Sequence, residues 1–192
     1  MTREIVLDIE TQNTFQDVGK YDHRLLKVSL VGFHDSADDS WQCLRESELY
    51  RLWPLLERAD RLIGYNLIGF DLPVLNNYYP GNLLNLPTLD IMAEIEKKIG
   101  FRVKLDDVAQ ATLGVGKSGT GLMAIEYFRR GEWEKLSDYC LQDVKVTRDV
   151  YLYGREKGEI WYNDRGSGRR TAVTVDFAPA RLRQAVNLTM PF

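Results

Sequence analysis

The stretch IVLDIETQ, residues 5–12, places two acidic residues at the end of an apolar run. Residues 5–7 are typical of a buried β-strand, and buried strands seldom contain carboxylates. Because residues i and i+2 of a strand lie on one face, Asp8 and Glu10 are predicted to project together at its carboxyl end, where α/β sheets place ligand sites. Two acids at a fraying strand end would also explain the pair.

The composition is that of an ordinary globular protein. The chain has 192 residues, of which 44% are hydrophobic and 28% charged, which is enough for one domain with a full apolar core. It contains neither the roughly 18-residue apolar run of a membrane span nor the apolar segment of a signal peptide. A soluble cytoplasmic protein without a membrane partner is therefore expected, with Cys43 and Cys140 as reduced thiols.

Charge is distributed unevenly along the chain. The formal net charge is −3, but residues 165–192 contain five arginines and one acid, so this segment carries +4 and the preceding residues −7. A basic segment can hold a polyanion locally, because salt screens charges beyond about 10 Å. A solvated arginine-rich terminus explains the same composition, and both interpretations stay open.

Apolar periodicity predicts a mixed α/β fold. Strands are predicted first, at residues 5–8, 27–33, 41–44 and 62–65. Helical spacing is found at residues 47–59, 91–99, 105–113, 122–130 and 132–156, with a further helix start at 71–73. This order predicts a central sheet of three antiparallel strands followed by parallel ones, flanked by helices. Residues 160–162 and 171–177 are predicted to form an additional hairpin, and the tail beyond residue 179 is assigned no structure.

The segment GYNLIGFDLPVL, residues 64–75, supplies a third acid. A loop that leaves the predicted fourth strand would carry Asp71 to the edge of the first strand, where it could face Asp8. The simpler explanation is that Asp71 caps the following helix and that Asn66 is a turn residue.

The segment LSDYCLQDVKV, residues 136–146, supplies a fourth acid on a predicted helix. Tyr139 and Asp143 are four residues apart, so they share a helix face, and this face borders an apolar stripe. They are therefore expected at the edge of the buried side. Taken alone, the segment is an ordinary amphipathic helix.

The three acidic segments together indicate a metal site. Four carboxylates in one pocket would repel, since each pair at about 4 Å costs roughly 4 kcal/mol at an effective dielectric constant near 20. Such a cluster is stable only when protons or cations neutralise it. Oxygen ligands favour Mg²⁺ or Mn²⁺, and two such ions about 4 Å apart are a common arrangement for phosphodiester hydrolysis. The predicted metal ligands are Asp8, Glu10, Asp71 and Asp143.

The motifs LDIET (7–11), GYNLIGFDLPVL (64–75) and YCLQD (139–143) resemble those of the 3′–5′ exonucleases of the ribonuclease H-like superfamily. The similar type has four acids and a tyrosine (DEDDy). The chain looks most like the proofreading domains of family B DNA polymerases and their free-standing bacterial relatives. The resemblance implies a ribonuclease H-like exonuclease domain at residues 1–157, with residues 158–192 as a basic hairpin and tail in the same domain.

The resemblance also implies a role for each catalytic residue. The residue matching Asp8 contacts both ions, and those matching Glu10 and Asp143 complete the site of the first ion. The residue matching Asp71 supports the second ion, mostly through water. Tyr139 would orient the attacking water, because a tyrosine with a pKa near 10 is a poor general base.

Other positions agree with the tyrosine type of this family or extend the resemblance. A sister type has a histidine five residues before the last acid, where this chain has Asp138. The resemblance implies substrate contacts from residues within the first two motifs, namely Ile9, Thr11, Asn66 and Phe70. Phe70 is equally compatible with a core position.

The implied function is a 3′–5′ exonuclease that uses two Mg²⁺ or Mn²⁺ ions and releases nucleoside monophosphates from single-stranded 3′ ends. DNA and RNA stay open as substrates. One alternative is a non-catalytic nucleic-acid-binding module of the same fold that acts with a helicase or polymerase. Another is a structure-selective endonuclease.

Three features have no assigned catalytic role. Residues 12–24 form a long loop that is either a lid near the substrate or a surface excursion. Asp90 has a counterpart in the family, but a helix-capping role is sufficient to explain it. The stretch GVGKSGTG, residues 114–121, is not a phosphate-binding loop, because Ala111 stands where that motif requires glycine and a helix precedes it.

Overall fold

The computed structural model describes residues 2–115, 121–164 and 166–178. Residues 116–120 of the glycine-rich stretch, Arg165, and residues 179–192 of the basic tail lie outside the described residues.

A five-stranded mixed sheet lies at the centre of the described chain. Its strands are β1 Glu4–Thr11, β2 Val28–Asp35, β3 Ser40–Arg45, β4 Arg61–Gly64 and β5 Thr88–Asp90, in the order β3-β2-β1-β4-β5. The first three strands are antiparallel, whereas β4 and β5 are added parallel to β1. The predicted α/β fold with a mixed sheet is confirmed.

Six α-helices of the described chain flank this sheet. They are α1 Trp53–Glu57, α2 Leu72–Leu75, α3 Ile91–Ile99, α4 Leu105–Leu113, α5 Gly121–Arg130 and α6 Trp133–Lys157. Side chains alternate along β1, so Ile5 and Leu7 pack into the core on one face of the sheet and Val6 into the core on the other, with Val144 of α6. No helix among the described residues is long and apolar enough to cross a bilayer.

One local prediction was wrong, and one strand was not predicted. The helix predicted at 47–59 is a 3₁₀-helical segment, Glu46–Arg51, followed by the five-residue α1. Pro54 near the start of α1 has no N–H, so it cannot continue a helix from the preceding turn. The prediction also missed β5, because its three residues are too few to show a strand period.

A second, two-stranded sheet follows α6. Strands β6 Glu159–Asn163 and β7 Arg170–Thr174 are antiparallel, as predicted for a hairpin, although β7 ends earlier than residue 177. Ile160 and Val173 are buried in the same apolar core as residues of α6. The hairpin is therefore packed against the main sheet's helices instead of projecting from them.

Gly32 of β2 allows α6 to lie directly on the sheet beside Asp8. Gly32 is the cross-strand partner of Asp8, and directly opposed residues face the same side of a sheet. A Cβ atom at Gly32 would lie 2.7 Å from Cys140 Sγ and 3.3 Å from Cγ2 of Val144. This close approach places the segment of α6 that carries Asp143 next to β1.

We expect Gly32→Ala to destabilise the protein by about 1–3 kcal/mol, the usual cost of overpacking a core. The added methyl group would push against the Cys140 thiol, so Cys140→Ala should relieve part of that cost. Urea unfolding of the wild type, both single variants and the double variant measures this coupling. Strictly additive costs would contradict the close contact between β2 and α6.

Candidate active site

One cavity brings the predicted catalytic residues together. It has a volume of about 260 Å³, and its walls include Asp8 and Glu10 from β1, Asp71 from the turn before α2, and Tyr139 and Asp143 from α6. The three elements are far apart in sequence, and the sheet topology makes them neighbours. The convergence of these side chains is thus a property of the fold, while their roles stay predictions.

The predicted substrate contacts lie at or beside this cavity. Ile9, Asn66 and Phe70 line it, and Thr11 lines an adjoining groove that shares Ile9 and Phe70 with the cavity. Four lining residues were not singled out from the sequence, namely Tyr65, Leu105, Asp106 and Gly121. The acidic pair at the start of α4 was the available signal for Asp106, but acids are common in the first turn of any helix.

Cys140 also lies close to the acids of β1. Its Sγ atom is 3.6 Å from the carbonyl oxygen of Asp8 and 3.9 Å from Asp8 Oδ2. One ligand atom each from Asp8, Glu10 and Cys140 lies within 4.8 Å of the others. The sequence predicts Cys140 only as a reduced thiol and does not predict its position beside these acids.

Asp71 is held against β1 by a backbone hydrogen bond. Strand β4 pairs with β1 only over residues 4–6 of β1, so among the described strands none pairs with the later part of that edge. There the N–H of Ile9 donates to Asp71 Oδ1 at 3.0 Å. Asp71 makes no side-chain cap to α2, so the alternative interpretation as a helix cap is wrong.

Burial raises the pKa values of Asp8, Glu10 and Asp71, and repulsion from neighbouring acids adds to the rise. Burial is the largest cause for Asp8, Glu10 and Asp71. The pKa of Asp8 is raised further by Asp71, Glu10 and Asp143, in that order. The hydrogen bond from Ile9 partly offsets the rise for the pKa of Asp71. The acids are therefore under an electrostatic cost that cation binding would relieve.

The residues present fit hard divalent cations. The described lining residues of the cavity include five acids and no lysine or arginine. Glu10 is only 8% exposed and Asp71 only 4%, so solvent screens their charges poorly. Buried carboxylate oxygens in this number are the donor set that Mg²⁺ and Mn²⁺ prefer.

Residues 5–153 match the family model described as the RNase_H superfamily. The chain belongs to the RNase_H superfamily. This RNase H-type chain is also similar in structure to the family B DNA polymerase from the hyperthermophilic archaeon Pyrobaculum calidifontis, with a TM-score of 0.59 and 20% sequence identity. The similarity covers 82% of this chain but only 24% of the polymerase chain, and at this identity it shows the fold alone. A comparison with curated protein sequences finds no match.

We expect Asp8→Asn to raise the melting temperature of the metal-free protein at pH 7. The raised pKa of Asp8 means that the folded state holds its proton more tightly than the unfolded state, so this group costs stability as the pH rises above its unfolded pKa of about 3.9. The neutral amide removes that cost, and each kcal/mol relieved adds about 2–4 °C. The gain should vanish near pH 3, where both states are protonated.

Thermal melts of wild type and Asp8→Asn in chelator, at pH 7 and pH 3, test this expectation. Asp138→Asn is a matched control, because Asp138 is an exposed acid on α6 outside the described lining of the cavity. A lower melting temperature for Asp8→Asn than for wild type at pH 7 would contradict the electrostatic cost.

Proposed function

We propose that this protein is a 3′–5′ exonuclease that uses two divalent cations, Mg²⁺ or Mn²⁺, to hydrolyse phosphodiester bonds and release nucleoside monophosphates. The observation that carries the proposal is the meeting of four acids and Tyr139 in one cavity of an RNase H-type chain. Superfamily membership supports a nuclease acting on nucleic acid. The acids and the tyrosine support the more specific DEDDy activity.

The acids would divide the two ions between them. We assign Asp8, Glu10 and Asp143 to the first ion, and Asp71 together with Asp8 to the second. The bound ions would supply a polarised water and charge stabilisation for the phosphate. Asp71 is kept in reach of Asp8 by its hydrogen bond from the N–H of Ile9, which fixes the turn that carries Asp71 against β1.

Tyr139 is suited to orienting a water molecule and not to removing its proton. Burial, followed by the nearby charges of Asp143, Glu10 and Asp8, raises the pKa of its phenol above the ordinary value. The hydroxyl group therefore keeps its proton at neutral pH. A protonated phenol at the cavity wall can donate a hydrogen bond to a water or to a phosphate oxygen.

The groove next to the acids supports a nucleic-acid substrate. It has a volume of about 380 Å³, shares Ile9, Glu10 and Phe70 with the cavity, and has mainly apolar walls. Apolar walls suit nucleobases, while the acids would hold phosphates through their cations. A nucleotide could therefore place its base in the groove and its phosphate over the acids.

The loop at residues 12–24 contributes an aromatic wall to this groove. Phe15 packs at 4.2 Å from Tyr21 and at 6.1 Å from Phe70, measured between ring centroids. Tyr21 lies outside the described lining of the groove and packs on Phe15, but it is 73% exposed, so part of its ring is accessible for stacking on a base. We assign this loop to the binding of the unpaired 3′ end.

The activity test uses a 5′-labelled oligonucleotide in DNA and RNA form with Mg²⁺ or Mn²⁺. We expect stepwise shortening by the wild type, and a loss in Asp8→Ala and Asp143→Ala greater than the roughly 10–100-fold that removing a supporting partner costs. Asp138→Ala should retain wild-type activity, since this acid is exposed and lies outside the described cavity lining. Internal cuts would instead indicate an endonuclease. Full activity in Asp143→Ala or in excess chelator would contradict the proposal.

Tyr139→Phe separates the role of the phenol hydroxyl from that of the ring. We expect kcat to fall by up to about 10²-fold, the loss that misplacing a reactant causes. KM and the Mn²⁺ concentration for half-maximal activity should stay near the wild-type values, because no metal ligand changes. Unchanged kcat would remove Tyr139 from the mechanism.

A further inference from the structure

We propose that Asp90 is a positioning residue that holds Asn66 and Asp71 in place through the turn between β4 and α2. This inference rests on the proposed nuclease function, because it concerns the same cavity. Asp90 is not among the described lining residues of that cavity. It would therefore act through the turn and not by touching ions or substrate.

The carboxylate of Asp90 has two sets of partners. Its Oδ1 atom accepts a hydrogen bond from Ala93 N at 3.3 Å, which is a cap at the start of α3. The same carboxylate also accepts from Asn66 N and Ile68 N, each at 2.9 Å. Asp90 is only 4% exposed, so these bonds form away from bulk water. Helix capping accounts for one of the three bonds, and the other two belong to the turn.

The turn has an uncommon backbone conformation. Asn66 has φ 64°, in the left-handed region, which asparagine adopts more readily than other non-glycine residues do. The next five residues, Leu67–Asp71, form a π-helical turn, a rare conformation that is frequent at functional sites. Among the described residues, Asn66 Oδ1 is buried and has no hydrogen-bond partner. Such a turn persists when surrounding groups hold it, and Asp90 binds its first and third residues.

The position of Asp90 follows from the sheet. Asp90 is the last residue of β5 and pairs with Gly64, the last residue of β4, two residues before Asn66. At its other end the turn is fixed to β1 by the hydrogen bond between Ile9 N and Asp71. The turn is thus held from both neighbouring strands, by one carboxylate at each end.

Asn66, Phe70 and Asp71 all belong to the held segment and all line the cavity. A catalytic constellation tolerates displacements of only about 0.5 Å. Loss of the Asp90 bonds should therefore weaken cation binding and substrate binding together. A residue that only capped α3 would affect neither.

Two variants separate the roles of Asp90. Serine is a good helix N-cap, so Asp90→Ser retains the bond to Ala93, but its single, shorter hydroxyl cannot accept from Asn66 and Ile68 together. Ala93→Pro does the reverse, since it removes the N–H that α3 donates to Asp90 and leaves the N–H groups of Asn66 and Ile68 in place, and proline is tolerated in the first helical turn. Circular dichroism checks that each variant folds. If Asp90→Ser does not fold, the isosteric Asp90→Asn replaces it, because its NH₂ group cannot accept and at least one bond is lost.

The measurements are Mn²⁺ affinity by calorimetry, KM for a single-stranded oligonucleotide, and amide hydrogen exchange over residues 66–71. In Asp90→Ser we expect Mn²⁺ affinity to fall about 10-fold or more, KM to rise, and exchange at residues 66–71 to accelerate. In Ala93→Pro we expect all three quantities to stay at wild-type values, even if the melting temperature is lower.

Wild-type Mn²⁺ affinity and exchange in Asp90→Ser would overturn the proposal, as would equal losses in Asp90→Ser and Ala93→Pro. The exchange measurement needs neither metal nor substrate. A wild-type protein without Mn²⁺ binding or nuclease activity would therefore contradict the proposed function, while exchange over residues 66–71 would still decide whether Asp90 holds the turn.

Discussion

The carboxylates that meet in one cavity repel one another, and the surrounding structure holds them together against that repulsion. Without cations, the acids of β1 and α6 would separate if their backbone allowed it. The fold prevents this with short, specific contacts. Gly32 lets α6 lie directly on β2, and Ile9 donates to Asp71 at the part of β1 that no described strand pairs with on that side. Packing of the surrounding apolar cores stabilises the folded state and offsets the destabilisation caused by the buried acids.

Local periodicity explains why much of this site could be predicted from the sequence. Asp8 and Glu10 share a strand face and Tyr139 and Asp143 a helix face, whatever the rest of the chain does. The mixed sheet likewise follows from the order of strand and helix patterns. That these faces meet at one place was predicted from the resemblance of three motifs to a known family, because no local pattern specifies a contact between distant segments.

The features that sequence analysis missed depend on tertiary contacts. Strand β5 forms by pairing with the edge of β4, and its three residues show no strand pattern of their own. Asn66 donates its N–H to a carboxylate 24 residues away, and Asp106 lines the cavity from the first turn of α4. Residues 12–24 have the composition of a polar loop, and the structure is needed to show that Phe15 packs against Phe70. Fold similarity alone would not have assigned a function, because one fold hosts many activities.

Because of the π-helical turn, the second motif depends on the number of residues between Asn66 and Asp71 as well as on the residue types. In this turn the N–H of Leu72 bonds to the carbonyl of Leu67, one residue further back than in an α-helix. Deleting a single residue here would restore α-helical winding and rotate Asp71 by about 100° around the helix axis, away from Ile9. The position of Asp71 beside Ile9 therefore depends on the number of residues between Asn66 and Asp71 as well as on the acid itself.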